Sequence, residues 1–364
     1  MRVLQLSCGQ IWRGAEQQIV YLIAGLRSKA IECFVACRKR SLFEEYCQKE
    51  DIPHFSLAFA NEVDLWSAYR VASFCRKNQI DILHTHSGHA LAIGVWANIL
   101  GAPARHIHSR RVLYPINDNA LSRLKFNRPS VRRIVCVSNS IREVMAASVR
   151  FPDRCVTVHS GVDVGRFSRT KETGSLRQEF DVPEDCQIIT NISALSDEKD
   201  CLTFVSTAEK VLNTGGKATF FLVGEGPERQ AIETRIRQKG LERDIVLTGF
   251  RQDIPEILAD TDLFIMTSRI EGLGSSVLDA FANRLPVVAT AAGGIPEMVR
   301  HGETGLLAPV GDADALAKHV LSLLGNRAER QRLGDKARIF LEKEFTEGAM
   351  VEKTLALYQE VVRE

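Results

Sequence analysis

The sequence predicts two doubly wound α/β domains in tandem, each a parallel sheet covered by helices on both faces. Three observations carry that prediction. Short runs rich in Val and Ile alternate with helix-period segments almost from end to end, and near-continuous apolar strands mark parallel sheets buried on both faces. The 364 residues suffice for two domains at roughly 100–200 residues each. A polar, glycine-containing stretch at 161–175 (GVDVGRFSRTKETGS) then breaks the alternation near mid-chain.

In the first half the strands are expected at 2–7, 33–37, 80–84, 104–108, 132–137 and 155–158, with amphipathic helices at 15–28, 63–78, 89–100 and 139–149. The second half repeats the theme, with strands at 187–193, 218–223, 244–247, 262–266 and 286–290. Helices are expected there at 201–213, 227–239, 276–283, 312–324, 327–341 and 346–363. The domains accordingly read as 1–165 and 166–364, with the last helix (about 346–364) packing back on the first domain.

With 45% hydrophobic, 25% charged and 7% aromatic residues, the composition excludes collagen-like, disordered and disulfide-scaffold classes. Nine cysteines without a CxxC pair, and no signal peptide after Met1, read as reduced thiols in a cytoplasmic protein. The longest stretch free of charged residues, Ile82 to Ala104, contains three histidines, three glycines and a proline. It is expected to form a buried helix, since a membrane span needs roughly 20 mostly apolar residues. The net charge of +2 conceals an uneven distribution. Residues 1–170 carry 24 Lys+Arg against 13 Asp+Glu, and residues 171–364 carry 23 against 32. A basic half suits an anionic partner such as a membrane surface or a phosphorylated substrate; surface drift between domains is the plainer explanation.

Ligands of doubly wound sheets sit outside the carboxyl ends of the strands, so the site is expected in a cleft between the domains. The most informative segment is 268–305. After the strand at 262–266 the chain passes through Glu271-Gly272-Leu273-Gly274 into a helix capped by Ser275 or Ser276. Glycines admit a ligand close to the backbone, and amides at a helix start point at an anion, the geometry a diphosphate requires. Gly293-Gly294 offers a second close approach. A capping box, with Asp279 reaching back to the Ser276 amide, would explain Asp279 without a ligand but leaves Glu271 unexplained. At the corner 191–200 (NISALSDEKD), Lys199 falls in a helix's first turn, where a cation is disfavoured unless an anion is near. Asp197, Glu198 and Asp200 could supply that anion, or Lys199 could reach a nucleotide phosphate.

Gly14 opens the first helix. One of His106 and His108, and one of Arg110 and Arg111, is expected to face the cleft, with His108 the functional choice. His84, His86 and His89 (HTHSGH) have the spacing of a metallo-β-lactamase-type motif, but Gly88 stands where that motif has a metal-binding aspartate. A strand end with one histidine near the cleft is the better reading.

In order along the chain, WRGAEQQ, DILHTHS, VCVSNSIRE, VTVHSGVDVGRF, NISALSDEKD, LVGEGPER, LTGFRQDIPEIL, EGLGSSVLDAFANRLPVVATAAGGIPE and HGETGLL resemble the retaining GT-B glycosyltransferases of family 4 (glycosyl transferases group 1). The resemblance implies two Rossmann-like domains and transfer of a sugar from a nucleotide-diphosphate sugar, UDP- or GDP-linked, with retention and without an obligatory metal. It implies that Glu271 binds the donor sugar's hydroxyls and that Gly272, Leu273 and Gly274 give backbone contacts. Ser275 and Ser276 would lie near the diphosphate, Lys199 would bind it and Gly14 would lie against it. Asp279 would clamp the ribose hydroxyls. Gly224 (in GEGP), Phe250 and Arg251 would flank the base, and His108, or Arg110 in its place, would lie near the reacting sugar. Three departures stand out. The acid usually found as glutamate is Asp279; the usual diphosphate arginine has no match, Ala194 occupying its place; and the first loop's glycine pair is Arg13-Gly14. Arg13 or Arg251 could compensate.

Retention is expected by front-face attack, since no carboxylate nucleophile stands in the first-domain motifs. Closure about 161–175 would exclude water. The first domain, with Arg13, Arg110, Arg111 and His86, is expected to bind a saccharide or lipid-linked acceptor. That places the enzyme in bacterial cell-surface polysaccharide or lipopolysaccharide synthesis, at the inner face of the plasma membrane and in contact with anionic lipid but no nucleic acid. The alternatives are a GT-B-type nucleotide-sugar 2-epimerase and a non-catalytic sugar-nucleotide-binding subunit.

Overall fold

A computed structural model describes residues 1–116, 119–168 and 174–364, with Ser168 described by its backbone alone. The chain forms two compact units, one of Met1–Gly161 with Glu347–Glu364 and one of Val162–Thr346.

In chain order the first unit contains β1 (Arg2–Leu6), α1 (Gly14–Ser28), β2 (Glu32–Arg38), α2 (Leu42–Lys49), β3 (His54–Leu57), α3 (Leu65–Lys77) and β4 (Ile82–Thr85). It continues through α4 (Gly88–Ile99), β5 (Arg105–Arg110), α5 (Ala120–Asn127), β6 (Val131–Cys136), α6 (Asn139–Ser148) and β7 (Cys155–Thr157). The strands make one parallel sheet in the order β3-β2-β1-β4-β5-β6-β7. Most of the helices start where a short polar side chain supplies an acceptor. Ser41, Asp64, Ser87, Asn119 and Ser138 each take the amide hydrogen of the residue three further on. One face of the sheet buries Val3, Ile19, Ile23, Leu26 and Val35, the other Leu4, Leu6, Val71, Leu83 and Ile93. Alternation along β1 sends Val3 to one core and Leu4 and Leu6 to the other, which is why apolar residues occur on both faces of the strand.

The second unit has α7 (Val164–Ser168), α8 (Ser175–Glu179), β8 (Gln187–Ile192), α9 (Cys201–Asn213), β9 (Ala218–Val223), α10 (Arg229–Lys239), β10 (Ile245–Gly249) and α11 (Ile254–Ala259). There follow β11 (Leu263–Met266), α12 (Ser275–Ala282), β12 (Val287–Thr290), β13 (Leu306–Ala308), α13 (Ala313–Leu324) and α14 (Arg327–Glu344). Its parallel sheet runs β10-β9-β8-β11-β12-β13 over cores that include Phe204, Phe220 and Val320 on one side and Leu176, Phe221 and Ile257 on the other. The last helix, α15 (Glu347–Arg363), belongs to the first unit and lies on α1, with Val351 against Gly25 and Tyr358 fully buried.

Several expectations need correction. The short elements β3, β13, α2, α5 and α11 were not expected; β3 and β13 have only four and three residues, too few for a period to show. The expected hinge at 161–175 includes residues 169–173, outside those described; α7 lies within it and α8 begins at its last residue, where no helix was expected. The uncharged stretch from Ile82 forms the buried helix α4, and no helix among the described residues is long and apolar enough to cross a membrane. All nine cysteines are free thiols.

Candidate functional site

In each sheet the strand order reverses once, between β1 and β4 and between β8 and β11. Such reversals open a crevice at the strands' carboxyl ends.

At the second unit's crevice the loops after β8 and β11 are stapled together. Thr267 Oγ1 donates to the carbonyls of Lys199 (3.2 Å) and Asp200 (3.1 Å), and the amides of Arg269 and Ile270 donate to the Glu198 carbonyl (2.8 and 3.2 Å). The Arg269 guanidinium bridges Asp197 at 3.1 Å and Asp200 at 3.0 Å. Over this staple the Lys199 ammonium pairs with Glu271 Oε2, which also accepts from Ser268 Oγ (3.3 Å); Glu271 Oε1 accepts from the Gly272 amide (3.2 Å). Lys199 keeps 23% of its side chain exposed and Glu271 11%. Three residues beyond Glu271, Gly274 takes φ +91° and caps α12, whose first turn begins with Ser275 and Ser276. A side chain at that φ would be strained, so glycine is required where the chain turns into the helix. The first amides of α12 lack acceptors within the helix and present a partial positive charge.

Asp279, one turn into α12, is half-buried; burial pushes its carboxyl up to about 7, against the lowering influence of Arg166. Two expectations fail here. Ser275 and Ser276 lie inside the helix that Gly274 caps, so Asp279 forms no capping box. Lys199 precedes α9, because Asp200 at φ +46° caps that helix and accepts from the Thr203 amide. Of the acidic neighbours, Asp197 and Asp200 hold Arg269, while Lys199 pairs with Glu271.

At the first unit's crevice, Arg13 caps α1 and Gly14 is its first residue, both exposed. Glu16 turns inward, accepting from the Arg13 amide (3.1 Å) and Ser7 Oγ (3.2 Å), with its carboxyl raised by burial. Side chains two apart share a sheet face, so His106 and His108 point the same way; both are buried and both contact Thr85 Oγ1, at 3.0 and 3.1 Å. The expectation that alternation separates the two is therefore corrected. His108 lies edge-on to Phe126, 5.6 Å between centroids, and burial with the Arg110 charge holds it well below the usual histidine range. Arg110 lies over the same ring and donates to the Tyr114 carbonyl (2.6 Å). Arg111, on the opposite face, reaches Ser160 Oγ at 3.4 Å and is lowered to about 10 by burial.

Comparison with known proteins identifies the chain. Residues 12–166 match the model of Glycosyltransferase Family 4, and residues 173–340 that of Glycosyl transferases group 1. The chain belongs to these family 4, group 1 glycosyltransferases. It is 26% identical over 325 residues to the N-acetyl-alpha-D-glucosaminyl L-malate synthase of Bacillus anthracis, covering 88% of this chain and 85% of that protein. To the UDP-Gal:alpha-D-GlcNAc-diphosphoundecaprenol alpha-1,3-galactosyltransferase of Escherichia coli it is 23% identical, covering 69% and 68%. The Anabaena HepE structure with UDP-glucose superposes with a TM-score of 0.87 at 20% identity, covering 99% of this chain and 100% of that one, which supports the GT-B fold.

In this glycosyltransferase the remaining motif residues have plain structural partners. Gly224, at φ +147°, packs so closely on the turn after β8 that a Cβ would stand 1.9 Å from the Ser193 carbonyl oxygen. Phe250, beyond β10, is 52% exposed. Arg251 is gripped by Glu179 (2.6 and 3.0 Å) and Asp253 (2.9 and 2.6 Å), which raise it further. Its charge is countered in this structure by the two carboxylates. Leu273 is buried. The three histidines of HTHSGH have separate partners: His84 bonds Tyr358 and Ser109, His86 beside it bonds Gln5, and His89 packs edge-on to Phe59. Among the described residues no cluster of three His, Cys, Asp or Glu could hold a metal. Sequence reasoning passed over Gln5, Glu16, Arg269 and Tyr358. Only Glu16, three residues after a helix cap, left a local signal.

Proposed function

We propose that this glycosyltransferase moves a sugar, with retention, from a nucleoside-diphosphate sugar to a hydroxyl of a saccharide or lipid-linked acceptor. We place it in bacterial cell-surface polysaccharide or lipopolysaccharide assembly. The observation that carries the reading is the Lys199–Glu271 pair at the β8/β11 crevice beside the start of α12. An arriving diphosphate brings at least two negative charges. Lys199 turns from Glu271 to the phosphates, the α12 amides of Ser275 and Ser276 receive their oxygens, and Glu271, released from its cation, accepts hydrogen bonds from the sugar hydroxyls. Asp279 accepts from the ribose hydroxyls. Phe250 and Arg251 border the base.

As the anomeric C–O bond breaks, positive charge grows on the sugar and negative charge on the departing diphosphate. Prepositioned amides and an ammonium stabilise that charge without reorganising, the source of most such rate enhancement. The acceptor oxygen bonds to the anomeric carbon from the face the diphosphate leaves, and its proton passes to the leaving phosphate oxygen. Glu16, the carboxylate at the first unit's crevice, is engaged by Ser7 and the Arg13 amide and serves helix capping. That supports front-face attack over a covalent intermediate.

The names of relatives support the acceptor class: the Escherichia coli enzyme acts on a diphosphoundecaprenol-linked sugar, and a Rhizobium meliloti relative is named for lipopolysaccharide core biosynthesis. The HepE neighbour holds UDP-glucose, which favours a UDP-sugar donor. The excess of basic residues in 1–170 supports contact with anionic lipid at the inner face of the membrane.

A thermal-shift panel of UDP- and GDP-sugars tests the donor: a true donor at a hundredfold excess over its Kd stabilises by about 2.7 kcal/mol. Anomeric analysis of the product tests retention, and incubation with donor alone tests for epimerisation. Donor converted without acceptor would overturn the reading.

A further inference from the structure

The β1/β4 crevice contains a buried hydrogen-bond chain that the reaction described above does not use. Gln5 on β1 and His84 on β4 are in register, and His86 follows on the same face. Gln5 Nε2 donates to Tyr358 Oη at 3.3 Å, and the same hydroxyl lies 2.5 Å from His84 Nδ1. On its other side His84 Nε2 pairs with Ser109 Oγ at 2.8 Å. At the other end of the amide, Gln5 Oε1 lies 2.7 Å from His86 Nε2 and can only accept. The hydrogen of His86 is thus on Nε2, and its Nδ1 holds a lone pair. That atom is buried and has no hydrogen-bond partner among the described residues, while the ring keeps 5% of its surface open. Burial, the neighbouring His84 ring 4.1 Å away and the Arg111 charge all oppose protonation, so the lone pair persists at neutral pH. Buried acceptors without partners are rare in native folds and call for a reason.

We propose that His86 Nδ1 accepts the hydrogen bond of an acceptor hydroxyl, and that Gln5 and Tyr358 are positioning residues that fix the tautomer presenting it. This rests on the acceptor reading above. His86 orients the hydroxyl; the proton still leaves with the diphosphate. The C-terminal helix α15 thereby acts on the site through Tyr358, whose hydroxyl receives the Gln5 Nε2 hydrogen and so leaves the amide oxygen turned to His86.

The test separates the two ring nitrogens. In His86→Asn the amide oxygen falls near the Nδ1 position; in His86→Gln the amide falls near Nε2 and keeps the Gln5 contact. With octyl glycosides as acceptors, His86→Asn is expected to hold the acceptor KM within about threefold of wild type, and His86→Gln to raise it tenfold or more. Donor Kd is unchanged in both. Equal behaviour of the two variants, or the reverse order, overturns the proposal. A second readout needs no turnover: ¹⁵N NMR of histidine-labelled wild-type protein should show His86 as the Nε2–H tautomer, and Tyr358→Phe, which removes the acceptor that orients the Gln5 amide, should disturb it. An Nδ1–H ring at His86 overturns the proposal. Failure of wild-type protein to transfer from any nucleotide sugar would strike the glycosyltransferase reading instead, leaving the tautomer result to stand on its own.

Discussion

Lys199 and Glu271, 72 residues apart in sequence, form an ion pair across the two loops that leave β8 and β11. Each is only partly exposed, and each is the other's charge partner. Removing one member leaves an uncompensated charge, so neither truncation is neutral for the corner. On the account above both groups also face the donor. Lys199→Ala and Glu271→Ala are each expected to lower kcat/KM by well over tenfold, which is at least about 1.4 kcal/mol of transition-state stabilisation. Because the two residues act as one unit, the double variant should lose far less than the product of the single losses. Steady-state kinetics of the three variants checks this. Two fully active single variants would show that the site is misassigned.

Asp279 gives a pH signature. Its carboxyl is raised from 3.8 to about 7, so its burial costs nothing while the group is protonated. That stability is fully present below the unfolded pKa and is lost as pH rises through the folded one. Asp279→Asn is therefore expected to gain on wild type by at most about 1.4 kcal/mol per pH unit between those values. The donor should respond with the opposite sign: ribose hydroxyls donate to a carboxylate, so affinity for UDP tightens as pH rises through 7 in wild type and stays flat in the variant. Denaturation and titration calorimetry at pH 5, 6, 7 and 8 measure both.

Gly224 should tolerate no side chain. With φ +147° and a Cβ that would stand 1.9 Å from the Ser193 carbonyl, Gly224→Ala must move the turn after β8, which leads to Lys199. A loss of about 2 kcal/mol or more is expected in urea denaturation, together with weaker donor binding. An unchanged midpoint would show that the turn relaxes without cost.

Membrane contact is checked by vesicle sedimentation at low salt. The basic first half should favour vesicles containing phosphatidylglycerol over neutral ones, and the preference should fade at 0.5 M salt, as charge screening requires. Equal binding to both would remove the case for an anionic surface.

Much of the fold was legible because long elements repeat their period. The helix expected at 201–213 has those bounds, as does the strand at 218–223. Where legibility failed, the cause was length or distance. β13 spans three residues, and the turn at 197–199 looked like a helix start until Asp200, in a left-handed conformation, separated it from α9. Motif order pointed to Glu271 and Lys199 individually, but their pairing depends on two loops brought together by strand order. The Gln5–Tyr358 contact spans 353 residues, so no local pattern could announce it. His108 is a different case. Its strand-end position pointed to the cleft, and a helix unexpected from sequence, α5, lays Phe126 against it.

The most direct measurement is a crystal structure of the protein with a non-hydrolysable nucleotide sugar. The account predicts the pyrophosphate at the first turn of α12 with Lys199 in contact and Glu271 on the sugar hydroxyls. A nucleotide bound elsewhere, with the Lys199–Glu271 pair intact, would contradict it.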